Sequence, residues 1–353
     1  MTNLLNLTQN QSLVLTHFNE THTIEYGGIV FFILNLGDYL PYSLLVLSAT
    51  LAGLLGNLLI IGAVICTKEL HSSTNMLVFN LALADLVVSC FVDTFTLVGI
   101  LQGKRFFDGR PILCHFVGGI CLVACETSLM NIGFLAINRY IHICHHTHYN
   151  RMFTAKKTIF YCAITWFIGI SIDLPNLLGW GGHYYDLKTL NCVWNRLASF
   201  SYTLFFPLSS IVIPCVLIAV CYIRIFMYSR TAKLKVAPSE KSGKSKSNDF
   251  KKSLKIAKGL FASFMLFTAC WVPYGLVVMT DYHDHYPRTV HMYTMVVAHF
   301  NSALNPILYA AFNPAFQRGY RNFFRVLLLK GKKEASISSK TQTMNVSVVT
   351  NNH

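Results

Sequence analysis

Charge is scarce in this chain. Of 353 residues only 12% are Asp, Glu, Lys or Arg, while 53% are hydrophobic. A soluble domain carries about 25% charged residues, so a water-soluble globule is excluded, and a mean hydropathy of +0.46 agrees. Acid is scarcest: 15 Asp and Glu stand against 29 Lys and Arg, a formal charge of +14. No succession of alternating ~10-residue segments is present, which removes a membrane β-barrel. There is no internal repeat and no pair of broken apolar segments, which argues against a transporter. The sequence offers neither a nucleophile–base pair nor a phosphate-cradling glycine loop, so no enzyme is expected. The N-terminus lacks a basic stretch ahead of an apolar one, so no cleavable signal peptide is expected.

What is present is a series of long apolar runs. A membrane crossing takes about 20 apolar residues. Seven stretches qualify: Tyr42–Cys66, Asn75–Leu101, Ile112–Ile143, Thr158–Leu178, Phe200–Phe226, Leu254–Thr280 and Val290–Ala311. Lipid offers no hydrogen bonds, so each backbone must satisfy itself as a helix. The expected fold is an all-α membrane protein, a seven-transmembrane helix bundle over residues 42–311. With the N-terminus outside, the cytoplasmic side holds 23 of the 29 Lys and Arg, as the positive-inside rule requires. That face suits anionic lipid and an acidic protein partner. Nucleic acid is not expected, because the basic residues flank membrane helices.

Residues 1–41 form an outer segment with glycosylation acceptors at Asn6, Asn10 and Asn19. Val236–Phe250 reads as a flexible inner linker rich in Ser and Lys. Residues 312–330 place Phe316, Tyr320, Phe323, Phe324 and Leu327 at helical spacing between arginines, a short amphipathic eighth helix in the interface. Residues 331–353 are a cytoplasmic tail rich in Ser and Thr, open to kinase and arrestin.

Polar residues recur at depth. Asp85 sits mid-span, where insertion of a carboxylate costs about 2.5–3.5 kcal/mol. Asp93, Glu126 and Asp173 also lie within spans. On the third helix Cys121, Cys125, Ser128, Leu135 and Arg139 share a face, because eighteen residues make five turns. Of eleven cysteines, Cys114 opens that helix and Cys192 lies in the second outer loop, both on the oxidising side. A Cys114–Cys192 bond is expected.

Motifs occur in order along the helices. They are Gly56-Asn57, Leu81-Ala82-Leu83-Ala84-Asp85, Cys114 with Asn138-Arg139-Tyr140, and Trp166. Pro214 with Tyr222, Cys270-Trp271-Val272-Pro273 and Asn305-Pro306-Ile307-Leu308-Tyr309 follow. Together they resemble the rhodopsin-like (class A) G-protein-coupled receptors, over residues 42 to about 328. The resemblance implies a plasma-membrane receptor that turns occupancy by an extracellular small molecule into activation of a heterotrimeric G protein. It implies a sodium ion held by Asp85, Ser128, Asn301 and Asn305, and no other cofactor. It further implies a switch in which Trp271 repacks with Phe267, Leu129 and Pro214 at the Pro273 kink. Tyr222 and Tyr309 then meet near Arg139, with Asn138, Tyr140, Asn305 and Pro306 in the same apparatus.

One departure carries mechanism. Most such receptors have Asp before the Arg, whereas here Asn138 stands there, and the sixth helix begins Lys251-Lys252-Ser253 with no acid. Basal signalling is expected.

For the ligand, Cys121 stands where amine receptors carry the Asp that binds the ammonium, so a conventional monoamine held at that position is not expected, and Val290–Ala311 has no Lys for a retinal Schiff base, His299 standing there instead. An opsin-related receptor without covalent retinal stays open, since Glu126 matches a pocket Glu of some opsins. The nearest likeness is to melatonin receptors: residues 136–145 resemble their inner third helix, Leu174-Pro175-Asn176-Leu177 their fourth, and Phe300-Asn301-Ser302 their seventh. That likeness implies Asn176 as a hydrogen-bond donor to ligand and Trp194 as a stacking group. Arg196, Ser210 and Gly275 depart from it. The expected pocket is therefore Cys121, Cys125, Glu126, Asn176, Trp194, Arg196, Ser210, Trp271, Gly275 and His299. The run His142, Cys144, His145, His146 and His148, and the outer His283, Asp284 and His285, have zinc-type ligands but no closed-site spacing.

Overall fold

A computed structural model describes residue 33, residues 36–235 and residues 242–328, with side chains at 33, 36–231 and 254–328. The acceptors Asn6, Asn10 and Asn19 and the 331–353 tail lie outside the described residues. Seven long helices carry the chain: α1 (Leu36–Cys66), α2 (Ser73–Gln102), α3 (Pro111–Cys144) and α4 (Ala155–Leu177) come first. After a hairpin of β1 (His183–Asp186) and β2 (Asn191–Trp194), α5 begins at Phe200 and its last stretch is Ile213–Lys235. Then come α6 (Ser242–Thr280) and α7 (Arg288–Phe312), with α8 over 314–328. Six helices are long and apolar enough to cross a membrane. The seventh, α7, is more polar because it carries the buried His291, His299, Asn301, Ser302 and Asn305.

The bundle is inverted relative to a soluble protein. Leu55 is 69% exposed, while Asn57 and Asp85 are fully buried. Apolar side chains meet lipid at no cost, whereas polar ones must find partners inside. Side-chain caps start three helices: Ser72 accepts from the Asn75 amide, Thr154 from Lys157 and Ser199 from Tyr202. Pro111 opens α3, where its missing N–H costs nothing.

The helices outrun the apolar runs, since hydrogen bonding continues past the hydrocarbon. One expectation is corrected by this. The stretch 242–250, read as flexible linker, belongs to α6: it has no Pro beyond residue 238, and each added residue gains a backbone bond. Residues 236–241 lie outside the described part. The amphipathic segment is helical over 314–328, with Phe316 fully buried and Phe324 and Leu327 exposed.

α3 is the axis and touches α2, α4, α5, α6 and the hairpin. α1 packs on α2 and α7, and α7 on α6. At Gly56 a Cβ would come 2.6 Å from the Pro306 ring, so only glycine lets α1 approach α7 there. The hairpin pairs His183 with Trp194 and Asp186 with Asn191. A Cys114–Cys192 disulfide ties β2 to the start of α3.

Both α2 and α5 contain a widened turn with five-residue hydrogen-bond spacing, at Val88–Val92 and Leu208–Val212. In α5 the cause is local. Pro214 has no N–H for the carbonyl four residues back, and the backbone accommodates an extra residue there.

Candidate functional site

Beneath β2, between α3, α5, α6 and α7, lies a cavity with about 650 Å³ of space between atoms, including the part open to solvent. Leu122, Leu129, Phe206, Ile211, Phe267, Trp271, Val278 and Met295 are among its walls. Polar groups are few: Cys121, Cys125, Glu126, Ser210 and the Trp194, Trp271 and Tyr274 heteroatoms. Apolar walls with a few placed polar groups are the usual form of a small-molecule site. The widened turn of α5 carries Ser210, which lines the cavity.

Of the residues expected here from sequence, the fold brings together Cys121, Cys125, Glu126, Trp194, Ser210, Trp271 and Gly275. Three lie outside the lining. Asn176 donates to the Asp173 carboxylate at 3.0 Å and to Tyr202 at 2.7 Å. His299 Nδ1 stands 2.6 Å from the Asp93 carboxylate, both groups buried. Arg196 reaches over the mouth instead.

That mouth holds an ionic cluster that sequence reading did not anticipate. From the hairpin side come Asp186, Lys188 and Arg196; from the tops of α6 and α7 come Asp281, Asp284 and His291. Arg196 hydrogen-bonds Asp284 and the Asp281 carbonyl, the latter at 3.2 Å. Lys188 lies 2.8 Å from Asp284, and His291 2.7 Å from Asp281. Burial raises the Asp281 carboxyl, but hydrogen bonds from His291 and the Tyr286 and His285 amides, with the Lys188 charge, outweigh it and hold the pKa at about 2. Burial also opposes ionisation of Asp284, yet Arg196 and Lys188 keep it below the usual carboxylate range. Among the described residues Asp281, Asp284 and His291 form the one close group of metal-ligand types, and two cations already face it. The His142–His148 run is not drawn together; its rings pair with Tyr140 and Tyr149 or stack on each other.

In the cavity wall Phe267 stacks on Trp271 with centroids 5.9 Å apart. Deeper still, Asp85 accepts from Ser128 at 2.9 Å and from Asn305 at 2.7 Å. The Oδ1 atoms of Asn301 and Asn305 are buried without a donor. Asn57 ties α1 to the Ser302 carbonyl at 3.0 Å.

At the inner end Arg139 hydrogen-bonds Thr74, which donates to Asn138 at 2.8 Å. No ion pair involves Arg139 among the described residues. The hydroxyls of Tyr222 and Tyr309 are buried without partners.

The sequence profile of the 7 transmembrane receptor (rhodopsin family) matches residues 56–309. The chain belongs to the rhodopsin family of seven-transmembrane receptors. The receptor is 31% identical to melatonin receptor type 1A of Mus musculus, over 76% of this chain and 75% of that one. It is 30% identical to melatonin receptor type 1B of Homo sapiens, over 81% and 78%, and 31% identical to type 1B-B of Danio rerio, over 77% and 78%. The fold matches the crystal structure of squid rhodopsin with a TM-score of 0.70, covering 82% of this chain and 85% of that one at 19% identity. The protein is thus a multi-pass G-protein-coupled receptor for a small ligand, and not an enzyme.

Proposed function

We propose that the cavity between α3, α5, α6 and α7 is the receptor's ligand site, filled from the extracellular side of the plasma membrane. The observation that carries this is the cavity's position: seven of the residues expected from sequence line it, and its wall is the Trp271–Phe267 stack beside Pro273. Cys121, Cys125, Glu126, Trp194, Ser210, Trp271 and Gly275 contact ligand in this reading. Asn176, Arg196 and His299 act one step removed, holding the walls and the mouth. The N-terminus lies outside and the tail in the cytoplasm, where kinase and arrestin reach it and lipid headgroups meet α8.

Ligand against Trp271 biases the α6 kink. The inner end of α6 then swings away, and Tyr222 and Tyr309 turn their unpartnered hydroxyls toward Arg139. This is a rigid-body change between two packings, and it opens a groove for a G-protein helix. Asp85, Ser128, Asn301 and Asn305 would hold a sodium ion. The all-oxygen donor set and the two donorless amide oxygens fit a hard cation. The ion would supply positive charge beside Asp85 and favour the resting packing. Because Arg139 lacks a carboxylate partner among the described residues and Asn138 stands where related receptors carry Asp, the resting packing is weakly held and the receptor signals without ligand.

The ligand need not be melatonin. Arg196, Ser210 and Gly275 differ from the melatonin-receptor pattern, and Arg196 is engaged in the mouth cluster. A G-protein recruitment assay in cells tests the reading, run unstimulated and against indoleamines, other small amines and lipids. Recruitment above background, enhanced by one class and lost with Trp271→Ala, is expected. Silence under every condition in surface-expressed receptor would overturn it.

A further inference from the structure

Four carboxylates lie at depth in α2, α3 and α4, and their partners differ. Asp85 accepts from Ser128 and Asn305. Asp93 faces His299 at 2.6 Å. Asp173 faces His183 at 2.9 Å and accepts from Asn176 at 3.0 Å. Glu126, like Asp85, has no ion-pair partner among the described residues; it alone of the four accepts no hydrogen bond of good geometry from another side chain, and its Oε1 is buried without any donor. Ser210 lies within reach of that carboxyl, yet its own Oγ makes no hydrogen bond of good geometry. Both residues are at least 97% buried by their 3% and 2% exposures, and both line the cavity.

A buried carboxyl without donors is costly, and a group that supplies one relieves that cost. No Lys, Arg or His lines the cavity, so the walls supply no cation to the carboxyl. The walls around the pair are apolar and aromatic: Phe206, Pro207, Ile211 and Trp194. Cys121, five residues earlier on α3, offers no charge. Five residues of helix is a rise of about 7.5 Å, so the acid stands well below the level of Cys121.

Resting on the cavity as ligand site, we propose that the receptor takes an aryl-alkyl amine whose protonated nitrogen enters first and seats between Glu126 and Ser210. The ammonium donates to Glu126 Oε1 and to Ser210 Oγ, and the ring packs above on Trp194 and Phe206. Specificity follows from the carboxylate: an acylated amine offers one neutral N–H, and a carboxylic acid is repelled.

The test uses the purified full chain in lipid nanodiscs and a charge series on shared rings. Tryptamine and 2-phenylethylamine are the cations, N-acetyltryptamine the neutral analogue and indole-3-acetic acid the anion. Thermal stabilisation is titrated against each. The amines bind most tightly. Glu126→Gln keeps the shape, weakens the amines about thirtyfold and leaves N-acetyltryptamine within about threefold. Ser210→Ala costs the amines about fivefold by loss of one neutral bond. A cooperative melting transition of each unliganded variant and a monodisperse elution peak verify that they are folded. The assignment is overturned if neither amine stabilises the receptor, if amine and amide bind alike, or if Glu126→Gln leaves amine affinity intact. Failure of the proposed transduction looks different: amines then bind in a Glu126-dependent way while recruitment stays flat.

Discussion

The outer and inner ends of the bundle are built on opposite principles. At the outer end the charged side chains of the hairpin and of the tops of α6 and α7 face opposite charges. A disulfide fixes the hairpin to α3, Arg196 and Lys188 bridge to Asp281 and Asp284, and Tyr42 donates to the Thr189 carbonyl at 3.1 Å. At the inner end Arg139 has no counter-charge among the described residues, and Tyr222 and Tyr309 carry unpaired hydroxyls. Unsatisfied buried groups raise the energy of one packing and so lower the cost of leaving it. The difference teaches where motion belongs: a stapled mouth keeps the cavity's shape, and the underpaired inner face is the part that changes.

That contrast can be broken at the outer end first. Cys114→Ala releases β2 and removes a cross-link spanning 78 residues of sequence. Loss of such a bond costs about 2–5 kcal/mol, and surface expression together with the thermal midpoint of the purified receptor is expected to fall sharply. Arg196→Ala comes next. It leaves Asp186, Asp281 and Asp284 facing each other with Lys188 alone, and the cost is set between that of a buried and an exposed pair, about 2 kcal/mol. Asp281 takes up a proton only as pH falls through its folded pKa of about 2, below its ordinary value of about 3.9. Its stabilisation is therefore full above about pH 4 and lost as pH falls toward 2. The Arg196→Ala deficit in melting temperature should thus be the same at pH 7.4 and pH 5.5.

The inner end sharpens the contrast with the smallest effect. Asn138→Asp restores a carboxylate beside Arg139 and is expected to cut ligand-free G-protein recruitment several-fold, a bias of about 1 kcal/mol, at unchanged surface expression. Unaltered basal recruitment would mean that the inner face is not held open by the missing charge.

Much of this was legible in the chain. Hydropathy marked seven helices because lipid demands self-satisfied apolar segments; Asp85 was readable as a costly mid-span carboxylate, and Ser128 and Asn305 as its companions only through the likeness to rhodopsin-like receptors. Cys114 and Cys192 were readable from compartment alone. The hairpin was not, since His183–Asp186 and Asn191–Trp194 are four residues each and show no sustained alternation. The pairings Asp93–His299 and Arg196–Asp284 were hidden because they join residues 206 and 88 apart, which no local pattern encodes. The extension of α6 through Ser242 was missed because a Ser- and Lys-rich composition reads as linker until the helix next to it is known to continue.

The broadened turn at Leu208–Val212 makes the upper and lower halves of α5 independently phased. Excising one residue there would restore regular winding and rotate everything outward of it by about 100° relative to the cytoplasmic part. The rod would still cross the bilayer at nearly full length, but Ser210 would face away from Glu126. A single-codon deletion could therefore yield a well-inserted, chemically deaf receptor, a lesion that hydropathy profiles and expression screens would both pass as normal.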